Sequence, residues 1–157
     1  MEPLASLFRP QKLTDFVGQS HLVGDGKPLA VAMSQNHLFS FVLWGPPGVG
    51  KTTLAKLYAQ VFDLPYTELS AVSAGKDDIK KLIATHPRQQ IIFLDEIHRF
   101  NKAQQDFLLP YVEDGRIILI GATTENPSFE VIPALLSRLR VFILHELTPD
   151  DIRIILD

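Results

Sequence analysis

The sequence predicts an α/β domain built on a five-stranded, mostly parallel sheet. Strand-like apolar runs alternate with helical patterns of about ten or more residues, which is how βαβ units read. A central run, Gln90 to Leu94, is apolar without alternation, as a strand buried on both faces must be. The stretch Phe39 to Thr53, FSFVLWGPPGVGKTT, passes from an apolar strand through a glycine-rich loop into a helical pattern.

Composition bounds the class. At 157 residues with 46% apolar content, the chain suits one domain with a sizeable core. With no cysteine, disulfides and thiolate metal sites are excluded. No apolar run reaches the length of a membrane span, and Met1-Glu2-Pro3 begins nothing like a signal peptide, so no membrane association and a cytoplasmic setting are expected. A net charge of −3 argues against a surface-wide binder of nucleic acid and leaves room for a local basic patch.

Taken in order, residues 1–19 read as an irregular arm, with Pro3, Arg9-Pro10 and Leu13-Thr14-Asp15-Phe16-Val17-Gly18-Gln19. A helix is expected from Ser20 to about Gln35, its main part Leu29 to Met33, closed by Asn36-His37. The first strand is Phe39 to Trp44. The helix after the glycine loop places Leu54, Leu57, Tyr58, Val61 and Phe62 on one face. Asp63-Leu64-Pro65 breaks it, and Tyr66 to Leu69 is a short second strand. Ser73 is expected to cap a helix in which Asp77 and Asp78 favour the positive end and Ile79, Leu82 and Ile83 form the buried stripe. His86-Pro87-Arg88 stops it. After the third strand, Gln90 to Leu94, comes a helix from Asn101 to about Val112 with Phe107, Leu108 and Tyr111 inward. Asp114-Gly115 turns the chain into a fourth strand, Arg116 to Ile120. A short helix near Ile132 to Ser137 and a fifth strand, Val141 to Leu144, follow. Thr148 then caps a last helix with Pro149 in first position and Asp150-Asp151 behind it.

Gly45-Pro46-Pro47-Gly48-Val49-Gly50-Lys51-Thr52 fits G-x-x-x-x-G-K-[ST] at every fixed position, and Thr53 extends it. Strand, loop and helix in this order are the context of a phosphate-binding loop, whose glycines let backbone N–H groups turn toward phosphate oxygens at a helix N-terminus. Lys51 would reach the β- and γ-phosphates, and the Thr52 hydroxyl would ligate Mg²⁺. Ile91-Ile92-Phe93-Leu94-Asp95-Glu96 places two carboxylates at the carboxyl end of a central strand, where ligands bind in such sheets. Asp95 is suited to hold Mg²⁺ through water, and Glu96 to orient or deprotonate an attacking water, favouring an NTP hydrolase over a small-molecule kinase. Thr123-Thr124 offers a hydroxyl either to the attacking water or γ-phosphate, or to ordinary turn chemistry. Ser137-Arg138-Leu139-Arg140 offers either a guanidinium to a neighbouring subunit's nucleotide or two solvated arginines. His98-Arg99 with Asn101-Lys102, Lys80-Lys81 and His86-Pro87-Arg88 are basic clusters that suit either a nucleic-acid backbone or a wet helix face. The histidines show no metal spacing.

These runs resemble a family. GPPGVGKTT, IIFLDE, the threonines of GATT and the Ser-Arg beyond them are similar to Walker A, Walker B, sensor 1 and the arginine finger of AAA+ ATPases. FRPQKLTDFVGQ resembles the adenine-embracing segment of the clamp-loader and Holliday-junction-motor branch. DEIHRFNKAQQDFLLPYVEDGRIILIGATTENPSFEVIPALLSRLRVF resembles the replication-associated recombination protein A family, the Werner-helicase-interacting protein family of eukaryotes.

The resemblance implies a three-layer α-β-α P-loop NTPase with strand order 5-1-4-3-2 and ATP and Mg²⁺ as cofactors. It implies a nucleotide-binding domain over residues 1–147, with the arm 1–19 against adenine, and residues 148–157 as the start of a helical lid, so the ending reads as a cut within a larger protein. Thr124 becomes sensor 1 with Thr123 in reserve, and Arg138 a finger acting in trans. Ser70 sits where relatives keep a polar residue that restrains the catalytic Glu, and Phe8, Arg9, Val17 and Gly18 would line the adenine and ribose. The implied role is a DNA-dependent ATPase of replication, recombination and repair at stalled forks, acting on gaps or duplex ends as a nucleoid-associated homo-oligomer with partners such as single-strand-binding protein. The alternative is a nucleotide-gated loading module with little hydrolysis.

Overall fold

In a computed structural model describing residues 12–156, β3 (Gln90–Asp95) and β4 (Ile117–Thr123) form the middle of the sheet, nearly every residue of both buried. β1 (Phe41–Trp44) pairs with β4 on one side and β5 (Arg140–Ile143) on the other, and β2 (Tyr66–Ser70) pairs with β3. The order is β2-β3-β4-β1-β5, the implied order read from the opposite edge, and every pairing is parallel.

Because successive side chains in a strand point to opposite faces, each central strand feeds two cores. Phe41, Leu43, Ile91, Phe93, Ile120 and Ala122 face one layer, with Leu29, Leu54, Ala55 and Tyr58 from the helices. Val42, Ile92, Leu94, Ile117 and Leu119 face the other, with Ile79, Ile97, Leu108 and Leu135. This is the expected three-layer α-β-α arrangement. The helices are α1 (Ser20–Val23), α2 (Pro28–Ser34), α3 (Lys51–Gln60), α4 (Lys76–Thr85), α5 (Lys102–Glu113), α6 (Pro127–Glu130), α7 (Pro133–Leu136) and α8 (Pro149–Leu156). Tyr58 pins the chain just ahead of β1. Its hydroxyl donates to His37 O at 2.7 Å and accepts from Phe39 N at 3.0 Å, and its ring meets Phe41 edge-on. Burial pushes the Tyr58 hydroxyl pKa up to about 12.

The structure corrects several expectations. The single helix read from Ser20 to Gln35 is two, α1 and α2, because Gly24-Asp25-Gly26 intervenes and Gly26 takes φ 74°. Ser73 caps nothing: α4 starts at Lys76, and its cap is supplied from inside, Asp78 Oδ2 accepting from Gly75 N at 2.8 Å. In α5 the inward face is Gln105, Leu108 and Val112. Phe107 and Tyr111 are only half-buried; their rings meet each other at 5.6 Å, under the cations of Lys80 and Arg116. The fourth strand runs on through Thr123, since Gly121 leaves room for Ile97, whose Cδ1 would lie 3.0 Å from an added Cβ. α6, capped by Asn126 Oδ1 accepting from Ser128 N, was not anticipated.

The expected cap at Thr148 is present, and a second one is found at Asn101. Asn101 and Gln104 form a reciprocal box at the head of α5, and Thr148 and Asp151 form one at α8.

One buried side chain joins α5 to the chain beyond α6. Gln105, 2% exposed, donates to Phe100 O and Glu130 O, each at 3.0 Å, and accepts from Ile132 N at 2.8 Å. Gln105→Met keeps the volume and strands three backbone groups, so unfolding by denaturant should show a loss of about 2 to 4 kcal/mol; a loss below about 1 kcal/mol contradicts this account.

Candidate functional site

The site begins where β1 ends. Gly45 N donates to Thr123 O at 3.1 Å, so the loop leaves the sheet beside β4. On its other side β5 leaves no room for a side chain, since a Cβ on Gly45 would lie 2.7 Å from Leu144 O. Gly48 and Gly50 take φ 78° and 99°, a conformation costly for any residue with a Cβ. Val49 is buried beneath the loop. Gly50 is also the N-cap of α3, so no side chain caps this helix, and its first N–H groups are left for an anion. Lys51 Nζ donates to Gly45 O at 2.6 Å and Pro46 O at 2.9 Å. Desolvation holds its pKa below the usual lysine range, opposed by the nearby Asp95 carboxylate.

The facing wall comes from the carboxyl ends of β3 and β4. Asp95 is half-buried and its Oδ1 accepts from Glu96 N at 2.9 Å. Glu96 has φ 53° and ψ 47°, a left-handed conformation that a residue with a Cβ adopts only when its surroundings impose it. Here Ile97, wholly buried, anchors the following 3-10 turn, Ile97–Arg99, so the exposed Glu96 side chain is turned to the cleft. Thr123 is buried and its Oγ1 accepts from Glu125 N at 2.9 Å, whereas Thr124 is exposed.

These elements enclose a cleft of about 600 Å³ lined by Pro47, Gly48, Gly50, Lys51, Thr52, Thr53, Asp95, Glu96, Thr123 and Thr124. Its size is that of a nucleotide-scale pocket. The glycine loop and the Asp-Glu pair, distant in sequence, thus share one space. Thr52 and Asp95 present hard oxygen donors to it, the type Mg²⁺ takes when substrate phosphates and water complete its shell. Among the described residues no cluster of three or more His, Asp or Glu side chains offers an all-protein metal site. The open backbone at Gly48, with nothing within 4 Å of an added Cβ, leaves space for phosphate oxygens.

Other expected residues lie apart. Gly45, Pro46 and Val49 shape the loop without lining the cleft. Arg138 is half-exposed after α7, its guanidinium 3.7 Å from Glu113 Oε2 on α5, outside the cleft. Ser70 is in register with Asp95 at the end of β2, but its Oγ accepts from Val72 N. Gly18, φ 83°, lies against Leu147 and Asp151, and Val17 beside it is half-buried. Phe8 and Arg9 fall outside the described residues.

Three residues make contacts that the sequence does not predict. Phe16 lays its ring edge against Gly50, about 3 Å from where a Cβ would stand. Gln19, buried with φ 55°, exchanges two hydrogen bonds with the backbone of His145, at 2.7 and 2.9 Å. His98 Nδ1 lies 2.9 Å from Thr123 Oγ1. The glycine before Gln19 hinted at a fixed turn; nothing local marks His98, whose partner is far along the chain.

Among the described residues no helix is long and apolar enough to cross a membrane. Comparison with known proteins is specific. The family described as Holliday junction DNA helicase RuvB P-loop domain matches residues 8–138. Replication-associated recombination protein A of Haemophilus influenzae is 50% identical over 98% of this chain and 36% of its own length. ATPase WRNIP1 of Dictyostelium discoideum is 51% identical over 96% of this chain and 18% of its own. The Thermotoga maritima RuvB Holliday junction branch migration motor superposes with a TM-score of 0.76 at 31% identity, covering 95% of this chain and 52% of that one. The chain thus spans about a third of the length of its bacterial relative. With the phosphate loop, the Asp-Glu strand end and the sheet order in agreement with these matches, the chain belongs to the RuvB-type P-loop ATPase domain family, with replication-associated recombination protein A and ATPase WRNIP1 as its homologues at about half identity.

Proposed function

We propose that this chain is the ATP-binding and ATP-hydrolysing core of a DNA-dependent AAA+ ATPase that acts in replication, recombination and repair at stalled forks. The observation that carries the hydrolytic reading is the single cleft in which Lys51 and Thr52 face Asp95, Glu96 and Thr124.

The residues divide the work. Backbone N–H groups of Gly48 to Thr53 hold phosphate oxygens, and Lys51 neutralises the β- and γ-phosphates. Thr52 and, through water, Asp95 would hold Mg²⁺, which when bound would supply charge neutralisation and alignment of the phosphates. Glu96 orients the attacking water and takes its proton. Thr124, exposed while the Thr123 hydroxyl is engaged in a turn, is the better placed of the two to bond that water or the γ-phosphate. Arg138, which does not line its own chain's cleft, acts on a neighbour's nucleotide in a homo-oligomer. Val17 and Gly18, and Phe8 and Arg9 before them, contact adenine and ribose, and Ser70 restrains Glu96.

Residues 1–147 form the nucleotide-binding unit, and α8 begins a helical lid. The apolar side chains Ile152, Ile154, Ile155 and Leu156 are all exposed on α8, which supports that reading. The proposed setting is cytoplasmic and nucleoid-associated, with DNA as partner, a reading supported by a relative named for replication and recombination, and with proteins such as single-strand-binding protein as further proposed partners.

In the natural full-length protein, Glu96→Gln should keep ATP affinity and lower turnover by about 10²-fold or more. Undiminished turnover would remove Glu96 from its role. DNA should stimulate the wild-type rate; a nucleotide-gated module would bind DNA and ATP without stimulation.

The finger in trans has its own test. Arg138→Ala should lower turnover about 10³-fold. Mixing it with a Lys51→Ala variant, itself inactive, should restore part of the activity, because wherever the nucleotide of an Arg138→Ala subunit faces a Lys51→Ala neighbour, an intact Lys51 meets an intact Arg138. No recovery on mixing, with oligomers shown to exchange, contradicts action across subunits.

A further inference from the structure

We propose that His98 is a positioning residue that locks the Glu96 turn to the Thr124 turn, an inference that rests on the catalytic reading of Glu96 and Thr124 given above. The β3–β4 ladder ends at Leu94 paired with Gly121. Beyond it the two chains part: β4 keeps its pairing with β1 through Thr123, and β3 runs into the left-handed residue Glu96. The two groups required beside the attacking water therefore stand on separate extensions past the end of the backbone pairing.

Two contacts rejoin the extensions. Ile97, fully buried, packs over Gly121. His98, in the same 3-10 turn, brings Nδ1 to 2.9 Å from Thr123 Oγ1. The second contact is directional. Thr123 Oγ1 accepts from Glu125 N at 2.9 Å and has Glu125 O at 3.2 Å, so its single proton has two acceptors within reach. When that proton goes to Glu125 O, His98 donates from Nδ1; when it goes to His98, the ring is protonated at Nε2 instead. In both arrangements the hydroxyl is held by His98 on one side and by the Thr123–Glu125 turn on the other. Thr124 lies inside that turn, and its side chain is exposed at the cleft. His98 lies two positions beyond Glu96 and does not itself line the cleft.

The consequence is a fixed separation between the proton acceptor and the hydroxyl opposite it. An error of about 1 Å in such a spacing can lower a rate by about 10²-fold without altering substrate affinity. His98 should therefore affect kcat and spare KM.

The test uses steady-state ATP turnover of the natural full-length protein, with affinity for a fluorescent ATP analogue measured separately. His98→Ala should lower kcat by about 10- to 100-fold while KM and analogue affinity stay within about threefold. His98→Asn, whose amide can stand near the Nδ1 position, should recover most of the loss, whereas His98→Gln, which reaches past it, should not. Combining His98→Ala with Thr123→Val should be no worse than the worse single variant, since both remove one link. A loss of kcat below about tenfold, a parallel loss of analogue affinity, equal rates for the Asn and Gln variants, or additive losses in the double variant each overturns the proposal. If His98→Ala fails to fold, the Asn and Gln pair decides. Glu96→Gln run alongside separates the two levels: turnover insensitive to Glu96 overturns the hydrolytic reading, and turnover sensitive to Glu96 but not to His98 overturns only the positioning role.

Discussion

The site depends on the placement of β1 between β4 and β5 in one parallel register. Trp44 opposite Thr123 sets the glycine loop beside the end of β4, and the hydrogen bond from Gly45 N to Thr123 O extends that neighbourhood by one residue. A slip of one residue would send Phe41 and Leu43 to the face now occupied by Val42 and expose both cores to mismatched neighbours. Burial on both faces thus holds the register, and the register aims the loop at Asp95, Glu96 and Thr124. On the far side the backbone of Leu144 comes so near Gly45 that only glycine fits.

Around that frame the cleft collects features that cost stability in isolation. Glu96 sits in a left-handed conformation, α3 has an uncapped N-terminus, and Lys51 is partly desolvated against carbonyl oxygens. Each is over-determined by ordinary packing close by: Ile97 and Phe100 flank the Glu96 turn from the core, Val49 fills the space under the loop, and Leu54 and Ala55 seat α3 on the sheet. Strain concentrated where phosphate and metal would be held, with relief supplied by the cores, is the pattern expected of a preorganised site.

The amino-terminal arm and the last helix meet around the same end of the sheet. Phe16 touches Gly50, Gln19 bonds to the backbone of His145 in both directions, and Gly18 lies against Leu147 and Asp151. A segment early in the chain therefore joins the phosphate loop to the start of α8. Gln19 serves in effect as one more rung beside the chain leaving β5, supplied by a side chain.

Much of this was legible because it is written in short-range pattern. The glycine loop, the carboxylate pair, the non-alternating strand from Gln90 and the cap at Thr148 depend on residues within a few positions of one another, and each is read with its chemistry. The misreadings have the same origin in reverse: Ser73 looked like a cap because the competing cap, Asp78, acts from inside the helix, and Phe107 and Tyr111 looked like core because periodicity does not reveal that Gln105 occupies the inward row. By itself the sequence determined the class of sheet, the nucleotide loop and the acidic pair facing it. Only the tertiary structure decided that Thr123 is committed to its turn and Thr124 is free at the cleft, that Arg138 stands outside, and that His98 bridges two strand ends. Those outcomes rest on hydrogen bonds and packing between residues brought together by the folded sheet, and no local propensity encodes them.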